Sequence, residues 1–190
     1  MIIVLIGKMG TGKTTIADGW LLKYTHNFKK VSFADKVKEL AVDLFGMKEK
    51  NRSLLIQVAQ KMKDIDPNVW VNATLKKIQE LREQNKDIVI DDCRFKNEYN
   101  ALKKFKDAIF IKLEISPEEQ LRRLKKKYPI SYQDHIDCGQ DYSENDLNDT
   151  EYDHLLKDAS REQTDELLSM VVDEERSKKA LHKFMGIKYP

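Results

Sequence analysis

A glycine-rich stretch directly follows an apolar run at residues 2–6, close to the start of the sequence. Four residues complete the spacing G-x-x-x-x-G-K-[ST] of a phosphate-binding loop: Gly7, Gly12, Lys13 and Thr14. The apolar run predicts a fully buried strand, and residues 14–23 predict a helix. A loop in this position turns its amides and the helix N-terminus toward phosphate oxygens, so the stretch predicts a nucleoside triphosphate site.

The residues of this loop have separate predicted roles. Gly7, Gly10 and Gly12 let the backbone curl so that successive amides point inward. Lys13 would reach the β- and γ-phosphates, and the Thr14 hydroxyl would bind Mg²⁺. The predicted ATP-binding residues are Gly7, Lys8, Gly10, Thr11, Gly12, Lys13, Thr14 and Thr15. A glycine-rich turn that binds nothing is the alternative, but it leaves the strand, the glycines and the Lys-Thr pair unexplained together.

The composition predicts one soluble globular domain over residues 1–190, with 41% hydrophobic and 35% charged residues. No apolar run approaches the roughly 20 residues that span a bilayer, and the N-terminal run is too short for a signal peptide. The 2 cysteines give no disulfide framework and the 4 histidines are scattered, so we expect no zinc. We therefore expect a cytoplasmic protein without a membrane partner.

The net charge of +2 conceals a division of the chain into acidic and basic parts. Residues 131–175 contain 15 Asp and Glu against 2 basic residues, Lys157 and Arg161, which is a net charge of −13. The rest of the chain therefore carries about +15. This basic remainder suits small anionic ligands. Since no stripe of Lys and Arg alternates with aromatic residues, we expect no nucleic-acid partner.

Strand and helix patterns alternate along the chain, which predicts a parallel sheet with helices on both faces. Besides residues 2–6, strands are predicted at 30–33, 87–92, 108–115 and 152–156. Helices are predicted at 34–45, 54–62, 69–84, 97–106 and 116–129, followed by a last helix that buries Leu167, Leu168, Val171 and Val172. Residues 130–150 have little periodicity and predict an exposed excursion.

Two carboxylates, Asp91 and Asp92, close the apolar stretch Ile88-Val89-Ile90. An acid at the end of a second strand holds Mg²⁺ in phosphate-loop proteins, so these residues and Thr14 form the predicted metal site. Strand alternation points only one of the two carboxylates toward the loop. A pair of solvated strand-end carboxylates is the alternative interpretation.

Phosphate groups on both sides of a transfer reaction require cations. Arg94 follows the carboxylates by two residues and would project from the carboxyl edge of the sheet, where its planar fork suits phosphate. Arg122 and Arg123 lie on a predicted helix that runs into the excursion, and a closing lid could bring one of them onto the transferring group. A basic, solvated helix face is the alternative for these two. The predicted catalytic residues are Lys13, Asp92, Arg94, Arg122 and Arg123.

Blocks of the sequence resemble, in order, the phage-type deoxynucleoside monophosphate kinase family, which is related to adenylate kinase. They are Gly7–Thr14, then Ser32–Glu39, then Arg52 with Leu54-Leu55, Pro67 and Trp70, and finally Asp92-Cys93-Arg94-Phe95-Lys96-Asn97-Glu98. The last block is similar to the family's aspartate-x-arginine-phenylalanine-proline-asparagine-glutamate signature. Ser143-Glu144 is a weaker match, and the whole resemblance spans about residues 1–147.

The resemblance implies an α/β P-loop kinase fold: a five-stranded parallel sheet flanked by helices, acceptor-binding helices at about 34–84 and a lid at about 122–150. It implies that Asp92 is the metal-side or catalytic carboxylate. It also implies an acceptor site that is lined by Asp35, Lys38, Arg52, Trp70 and Arg94. Core packing of Trp70 and solvation of Lys38 are the alternatives. Lys96 stands where proline is usual, which is a harmless departure in a loop. Residues 128–150 lack the arginines that related lids supply, so Arg122, Arg123 or Arg161 would provide the cation.

The implied reaction transfers the γ-phosphoryl group of ATP to the 5′-phosphate of a deoxynucleoside monophosphate (dNMP), with Mg²⁺ as cofactor. The acceptor oxygen is anionic near neutral pH, so no dedicated general base is needed. Two other hypotheses stay open: another P-loop small-molecule kinase, for example of phosphomevalonate, and a non-enzymatic nucleotide-binding module. A homodimer is also left open, and a phage-encoded chain would act in the host cytoplasm.

Overall fold

The computed structural model describes residues 1–22, 27–133 and 145–185. The strands are β1 (Ile2–Ile6), β2 (Phe28–Val31), β3 (Asp87–Ile90), β4 (Ala108–Glu114) and β5 (His154–Lys157). The helices are α1 (Lys13–Ile16), α2 (Asp35–Phe45), α3 (Arg52–Ile65), α4 (Val69–Glu83), α5 (Lys96–Leu102), α6 (Pro117–Lys127) and α7 (Arg161–Phe184). Within these ranges, no helix combines the length and apolar character that crossing a membrane requires.

The five strands form one parallel sheet in the order β2-β3-β1-β4-β5. The central strand β1 pairs with β3 from Ile2 opposite Ile88, and with β4 from Ile2 opposite Ala108. Because every strand runs in the same direction, the loops that follow the strands meet at one edge of the sheet. This architecture confirms the predicted fold class.

The core lies on both faces of the central strand. Ile2, Val4 and Ile6 pack into a cluster that includes residues of α4 and α5, and Ile3 and Leu5 pack into a second cluster with residues of α7. All five side chains of β1 are at most 1% exposed, which explains why its sequence is an unbroken aliphatic run. In the last helix, Leu168, Val171 and Val172 are buried as predicted, while Leu167 is half-buried.

Helices α2, α3 and α4 share a separate, smaller core. Val37, Val58 and Trp70 form its buried centre, and the Trp70 indole donates to the carbonyl oxygen of Ala59 at 3.1 Å. Gly46 ends α2 in the left-handed conformation (φ 63°) that glycine adopts readily at a helix C-terminus. We call α2–α4 the helical lobe. Its helices lie within the predicted range 34–84, and its role in acceptor binding stays a prediction.

Several elements differ from their predicted bounds. β3 and α5 end earlier than predicted, at Ile90 and Leu102, and α3 extends beyond 54–62 at both ends. β2 begins at Phe28 because this side chain is buried beneath the sheet, and β5 begins at His154, after an exposed Tyr152. The first helix is not one continuous α-helix, since α1 continues as a π-helical segment over Ala17–Leu21. Ser143-Glu144 and most of the predicted excursion lie outside the described residues, so the lid stays a prediction.

Candidate active site

The phosphate loop connects β1 to α1 in a backbone conformation that requires glycine. Gly7, Gly10 and Gly12 have φ values of 142°, 86° and 103°. A Cβ atom on Gly7 would collide with the carbonyl oxygen of Leu113 at the end of β4. The loop therefore passes so close to the neighbouring strand that only glycine fits at its first position.

Lys13 is buried within this loop, with only 8% of its surface exposed. Its Nζ donates to the carbonyl oxygens of Gly7 and Lys8, the second at 2.9 Å. Thr14 and Thr15 follow on the exposed first turn of α1. The loop thus places an ammonium group and two hydroxyl groups at one helix N-terminus, which suits phosphate binding.

Helix α6 is attached to the phosphate loop by two side chains. Gln120 Nε2 donates to the carbonyl oxygen of Met9 at 2.7 Å, and Arg123 Nη1 donates to that of Thr11 at 3.2 Å. As predicted, Ser116 caps the start of the helix, where its hydroxyl accepts from the Glu119 amide. These contacts fix the position of α6 relative to the loop.

The structure separates the two candidate arginines of α6. Both bind the Glu119 carboxylate, Arg122 through Nε and Nη2 at 2.6 and 2.7 Å and Arg123 through Nε at 2.7 Å. These hydrogen bonds, those from Arg122 foremost, lower the pKa of Glu119 to about 2. Arg123 also reaches the phosphate loop, whereas the Arg122 side chain is 66% exposed. The third candidate, Arg161, lies at the start of α7 with its Nε 3.8 Å from Asp165.

Asp91, just beyond the end of β3, is buried and paired with a lysine of the neighbouring strand. Its Oδ2 lies 2.9 Å from the Nζ of Lys30, which also lies 3.0 Å from Asp18 on the π-helical segment. Burial would lower the pKa of Lys30, but the hydrogen bonds to Asp91 and Asp18 raise it overall. The negative charge of Asp91 is therefore compensated by Lys30.

Asp92 binds the segment between β2 and the helical lobe. Its carboxylate accepts hydrogen bonds from the Ser32 hydroxyl, from the Phe33 amide at 3.0 Å and from the Ala34 amide at 3.1 Å. Burial raises the pKa of Asp92 even though these hydrogen bonds oppose the shift. The two adjacent carboxylates thus have different partners, and Asp92 connects the sheet to the start of α2.

The side-chain oxygen atoms at this edge of the sheet are of the type that binds magnesium. A threonine hydroxyl and carboxylate oxygens are hard ligands. Among the residues that the structure describes, Oδ1 of Asp92 accepts one hydrogen bond, from the Phe33 amide. In the described ranges, no group of three His, Cys, Asp or Glu side chains is close enough to hold a metal by itself. This pattern fits an ion of the kind that binds one or two protein oxygens together with phosphates and water.

Arg94 lies in a turn whose backbone is fixed by a buried glutamate. Glu98, 5% exposed, accepts from the amides of Arg94 and Phe95 at 2.8 and 3.1 Å. Burial raises the pKa of Glu98 to about 7, although the two backbone hydrogen bonds oppose the shift. No role was assigned to Glu98 from the sequence. The pattern that could have identified it is a glutamate at the third position of a helix, where the side chain commonly caps the helix N-terminus.

A cleft of about 620 Å³ lies at the carboxyl edge of the sheet, bordered by the phosphate loop and by Arg94. Lys112 of β4 and Lys157 of β5 also line it, and neither was predicted. Lys112 Nζ lies 3.0 Å from Glu114 and donates to the carbonyl oxygen of Asn148 at 3.3 Å. The sequence signal for this residue was a lysine in the interior of a largely apolar strand. The cleft therefore combines a phosphate loop with further cations on its walls.

Of the predicted acceptor residues in the helical lobe, three are exposed at helix N-termini and one is buried in the core of the lobe. Asp35 and Lys38 lie exposed at the start of α2, 3.3 Å apart, and Asp35 also accepts from the Ser32 amide at 2.9 Å. Arg52 is the exposed first residue of α3, and Trp70 is 4% exposed in the core of the helical lobe. Trp70 thus has the packing role that was the alternative interpretation, and acceptor contacts of all four residues stay predictions.

Comparison with known proteins agrees with the fold and the loop. The chain resembles the solved structure of a sugar kinase from Janibacter sp. HTCC2649 at 19% identity, over 90% of this chain and 94% of that one, with a TM-score of 0.54. It resembles TT1252 from Thermus thermophilus at 16% identity, over 92% and 97% of the two chains, with a TM-score of 0.55. No curated protein matches the sequence. At such identities the structural likeness concerns the fold alone.

The sequence profile of the AAA domain family AAA_18 matches residues 3–144. This range covers most of the chain and contains the phosphate loop, the Asp91-Asp92 pair and Arg94. The more specific resemblance to deoxynucleoside monophosphate kinases stays a prediction. The chain belongs to the AAA domain family AAA_18, and it has the α/β fold of P-loop kinases.

Proposed function

We propose that the protein is an ATP-dependent deoxynucleoside monophosphate kinase, which converts ATP and a dNMP into ADP and the deoxynucleoside diphosphate. The observation that carries the proposal is that the phosphate loop and Arg94 border the same cleft of about 620 Å³. A cleft of this size accommodates small ligands, and its cations suit phosphate on both reactants. The solved structure of a sugar kinase with the same fold supports a kinase in general.

On the donor side, the loop amides and Lys13 would bind the β- and γ-phosphates of ATP. Thr14 and Asp92 are the residues proposed to hold Mg²⁺, with Asp91 beside them, and the ion when bound supplies charge neutralisation at the phosphates. Arg123 is the proposed cation of α6, because its guanidinium already contacts the loop at Thr11. Arg122 shares Glu119 with it and extends toward solvent.

On the acceptor side, Arg94 would bind the 5′-phosphate through its planar guanidinium. An oxygen of that phosphate forms the new bond to the γ-phosphorus, and the bond to the β–γ bridging oxygen breaks to release ADP. The attacking oxygen is already anionic, so alignment and charge neutralisation are sufficient and no base must remove a proton. Asp35, Lys38 and Arg52 are the proposed contacts from the helical lobe, with Trp70 supporting them from its core.

A kinase that phosphorylates another small molecule is the second candidate, and the fold shared with a sugar kinase favours it. The cations on the cleft walls support a phosphate-bearing acceptor over a neutral sugar, because Arg94 and two lysines line the cleft beside the phosphate loop. An acceptor that carries a phosphate, such as phosphomevalonate, would use the same cations. Substrate assays must therefore separate these acceptors.

The test is an assay of purified protein with ATP and Mg²⁺ against each of the four deoxynucleoside monophosphates, the ribonucleotides, phosphomevalonate and neutral sugars. Chromatography should detect a deoxynucleoside diphosphate and ADP in equal amounts, and the Lys13→Ala protein should form both about a thousandfold more slowly. Phosphorylation of non-nucleotide acceptors alone would replace the proposed substrate class. Nucleotide binding without any acceptor-dependent ADP release would identify a nucleotide-binding module instead.

A further inference from the structure

Three consecutive backbone amides, those of Arg94, Phe95 and Lys96, donate to two buried carboxylates. Glu98 accepts the first two at 2.8 and 3.1 Å, and Asp146 accepts the third at 2.7 Å. Glu98 and Asp146 are 5% and 7% exposed. The backbone that carries Arg94 is therefore held from two directions.

The contribution of Asp146 is not local, because it lies 50 residues beyond Lys96 in the chain. Its neighbour Leu147 packs against the apolar cluster beneath α5, and the carbonyl oxygen of Asn148 accepts from Lys112 in the cleft wall. The Lys96 ammonium is 3.9 Å from the Asp146 carboxylate, so the amide is the closer partner. Residues 146–148 thus contact both the Arg94 turn and a second cation of the cleft.

The position of the turn decides where the Arg94 guanidinium can reach. Glu98 belongs to the first turn of α5 and fixes the turn only relative to that helix. Asp146 comes from a different part of the fold and fixes the same turn relative to the cleft. A displacement of about 1 Å in a substrate-binding group is enough to cost about a hundredfold in rate.

We propose that Asp146 is a positioning residue of the acceptor site, which acts through the Lys96 amide to hold the turn that carries Arg94. The inference rests on the proposed function, in which Arg94 binds the acceptor phosphate. Asp146 itself does not contact the acceptor. Its removal should therefore weaken acceptor binding while ATP binding is retained.

The first test is Asp146→Ala, compared with Asp146→Asn and Asp149→Ala in steady-state assays that vary each substrate. We expect Asp146→Ala to raise the KM for the dNMP about tenfold and to change the KM for ATP less than twofold. Asp146→Asn keeps an oxygen that accepts from the amide, so it should restore most of the acceptor affinity. Asp149 lies on the same turn, is exposed, and makes no hydrogen bond or ion pair with the described residues, so its removal should have no effect.

The second test removes the amide hydrogen of Lys96, which donates the hydrogen bond, instead of the Asp146 carboxylate that accepts it. Lys96 is the first residue of α5, a position where proline fits, and Phe95 before it has the extended backbone (ψ 147°) that precedes proline. Lys96→Pro deletes the amide hydrogen and should raise the dNMP KM as Asp146→Ala does, whereas Lys96→Ala keeps the amide and should not. The double variant Asp146→Ala/Lys96→Pro should have a dNMP KM no higher than that of the single variant with the higher KM, because both substitutions remove the same hydrogen bond.

Circular dichroism and a thermal midpoint for each variant establish that it is folded. The inference is overturned if an active wild-type protein tolerates Asp146→Ala and Lys96→Pro with an unchanged dNMP KM. It is equally overturned if both variants weaken ATP and the dNMP alike. A wild-type protein that phosphorylates no dNMP overturns the proposed function, and the inference with it.

Discussion

The guanidinium of Arg123 donates to the carbonyl oxygen of Thr11 at 3.2 Å, so a side chain of α6 contacts the phosphate loop directly. We expect Arg123→Ala to lower kcat about a hundredfold, the size of effect seen when one charge-stabilising donor is removed from an active site. Arg122→Ala is the matched control, because Arg122 shares Glu119 but is 66% exposed. Steady-state kinetics of both variants would check this, and equal losses would contradict the distinction between them.

Lys13 provides the sharpest test of the donor site. Lys13→Ala removes a cation that contacts the loop at Gly7 and Lys8, and we expect kcat to fall about a thousandfold. Phosphoryl transfer measured in single turnovers would give the size of the loss. Turnover within tenfold of the wild-type value would exclude Lys13 from the reaction.

Gly7 and Gly19 make a matched pair for the backbone of this region. Gly7→Ala would place a Cβ against the Leu113 carbonyl at a positive φ, so we expect it to lower the free energy of unfolding by about 2 kcal/mol. A Cβ on Gly19 meets nothing within 4 Å, and Gly19→Ala should raise that free energy by about 0.5 kcal/mol. Urea denaturation of the two variants would measure both changes. Destabilisation of similar size at both positions would contradict the steric explanation.

A variant of Arg94 would test the proposed acceptor site separately from the proposed ATP site. We expect Arg94→Ala to raise the KM for the dNMP at least tenfold and to leave the dissociation constant of ATP nearly unchanged. Arg94→Lys keeps the charge but loses the planar fork, so it should recover only part of the affinity. Calorimetric titration with each nucleotide provides the measurement, and equal loss of both affinities would contradict the role of Arg94.

The buried carboxyl group of Glu98 predicts a dependence of stability on pH. Burial raises its pKa to about 7 from an ordinary value of 4.5, with Asp92 adding to the shift and Lys63 opposing it. Between pH 4.5 and about 7, Glu98 therefore holds a proton in the folded protein that it releases in the unfolded chain. The contribution of Glu98 to the free energy of unfolding therefore falls as pH rises through this window, by at most about 3 kcal/mol.

Glu98→Gln keeps the acceptor oxygen for the amides of Arg94 and Phe95 but removes the titration. Its stability relative to the wild type should therefore increase from pH 4.5 to 7. Urea denaturation of the two proteins across this range would measure the difference. A constant difference would show that Glu98 titrates normally.

The phosphate loop and the caps could be predicted because their signals are local. Gly7 follows from a motif of eight residues, and the Ser116 cap follows from the Ser-Pro-Glu-Glu sequence at the start of α6. β2 was placed two residues late, because its Lys29 and Lys30 hid the buried Phe28 that begins the strand. An edge strand with one buried residue at each end gives only a weak pattern.

The contacts that arrange the site depend on tertiary packing. Arg122 and Arg123 are adjacent, and only the docking of α6 on the loop decides that Arg123 is the one that reaches Thr11. The prediction that Lys96 is harmless in place of proline did not consider its amide, which Asp146 binds. No spacing rule connects residues 50 positions apart, so this contact could be found only in the structure.

The separate core of the helical lobe has a consequence for how such a protein can change. Val37, Val58 and Trp70 pack among themselves, and the segment that leads into α2 is held to the sheet by the Asp92 carboxylate. The buried cluster of that small interior contains none of the β1 side chains and none of the loop glycines. If the lobe binds the acceptor as proposed, natural variation can alter which molecule it accepts while the phosphate loop is inherited unchanged.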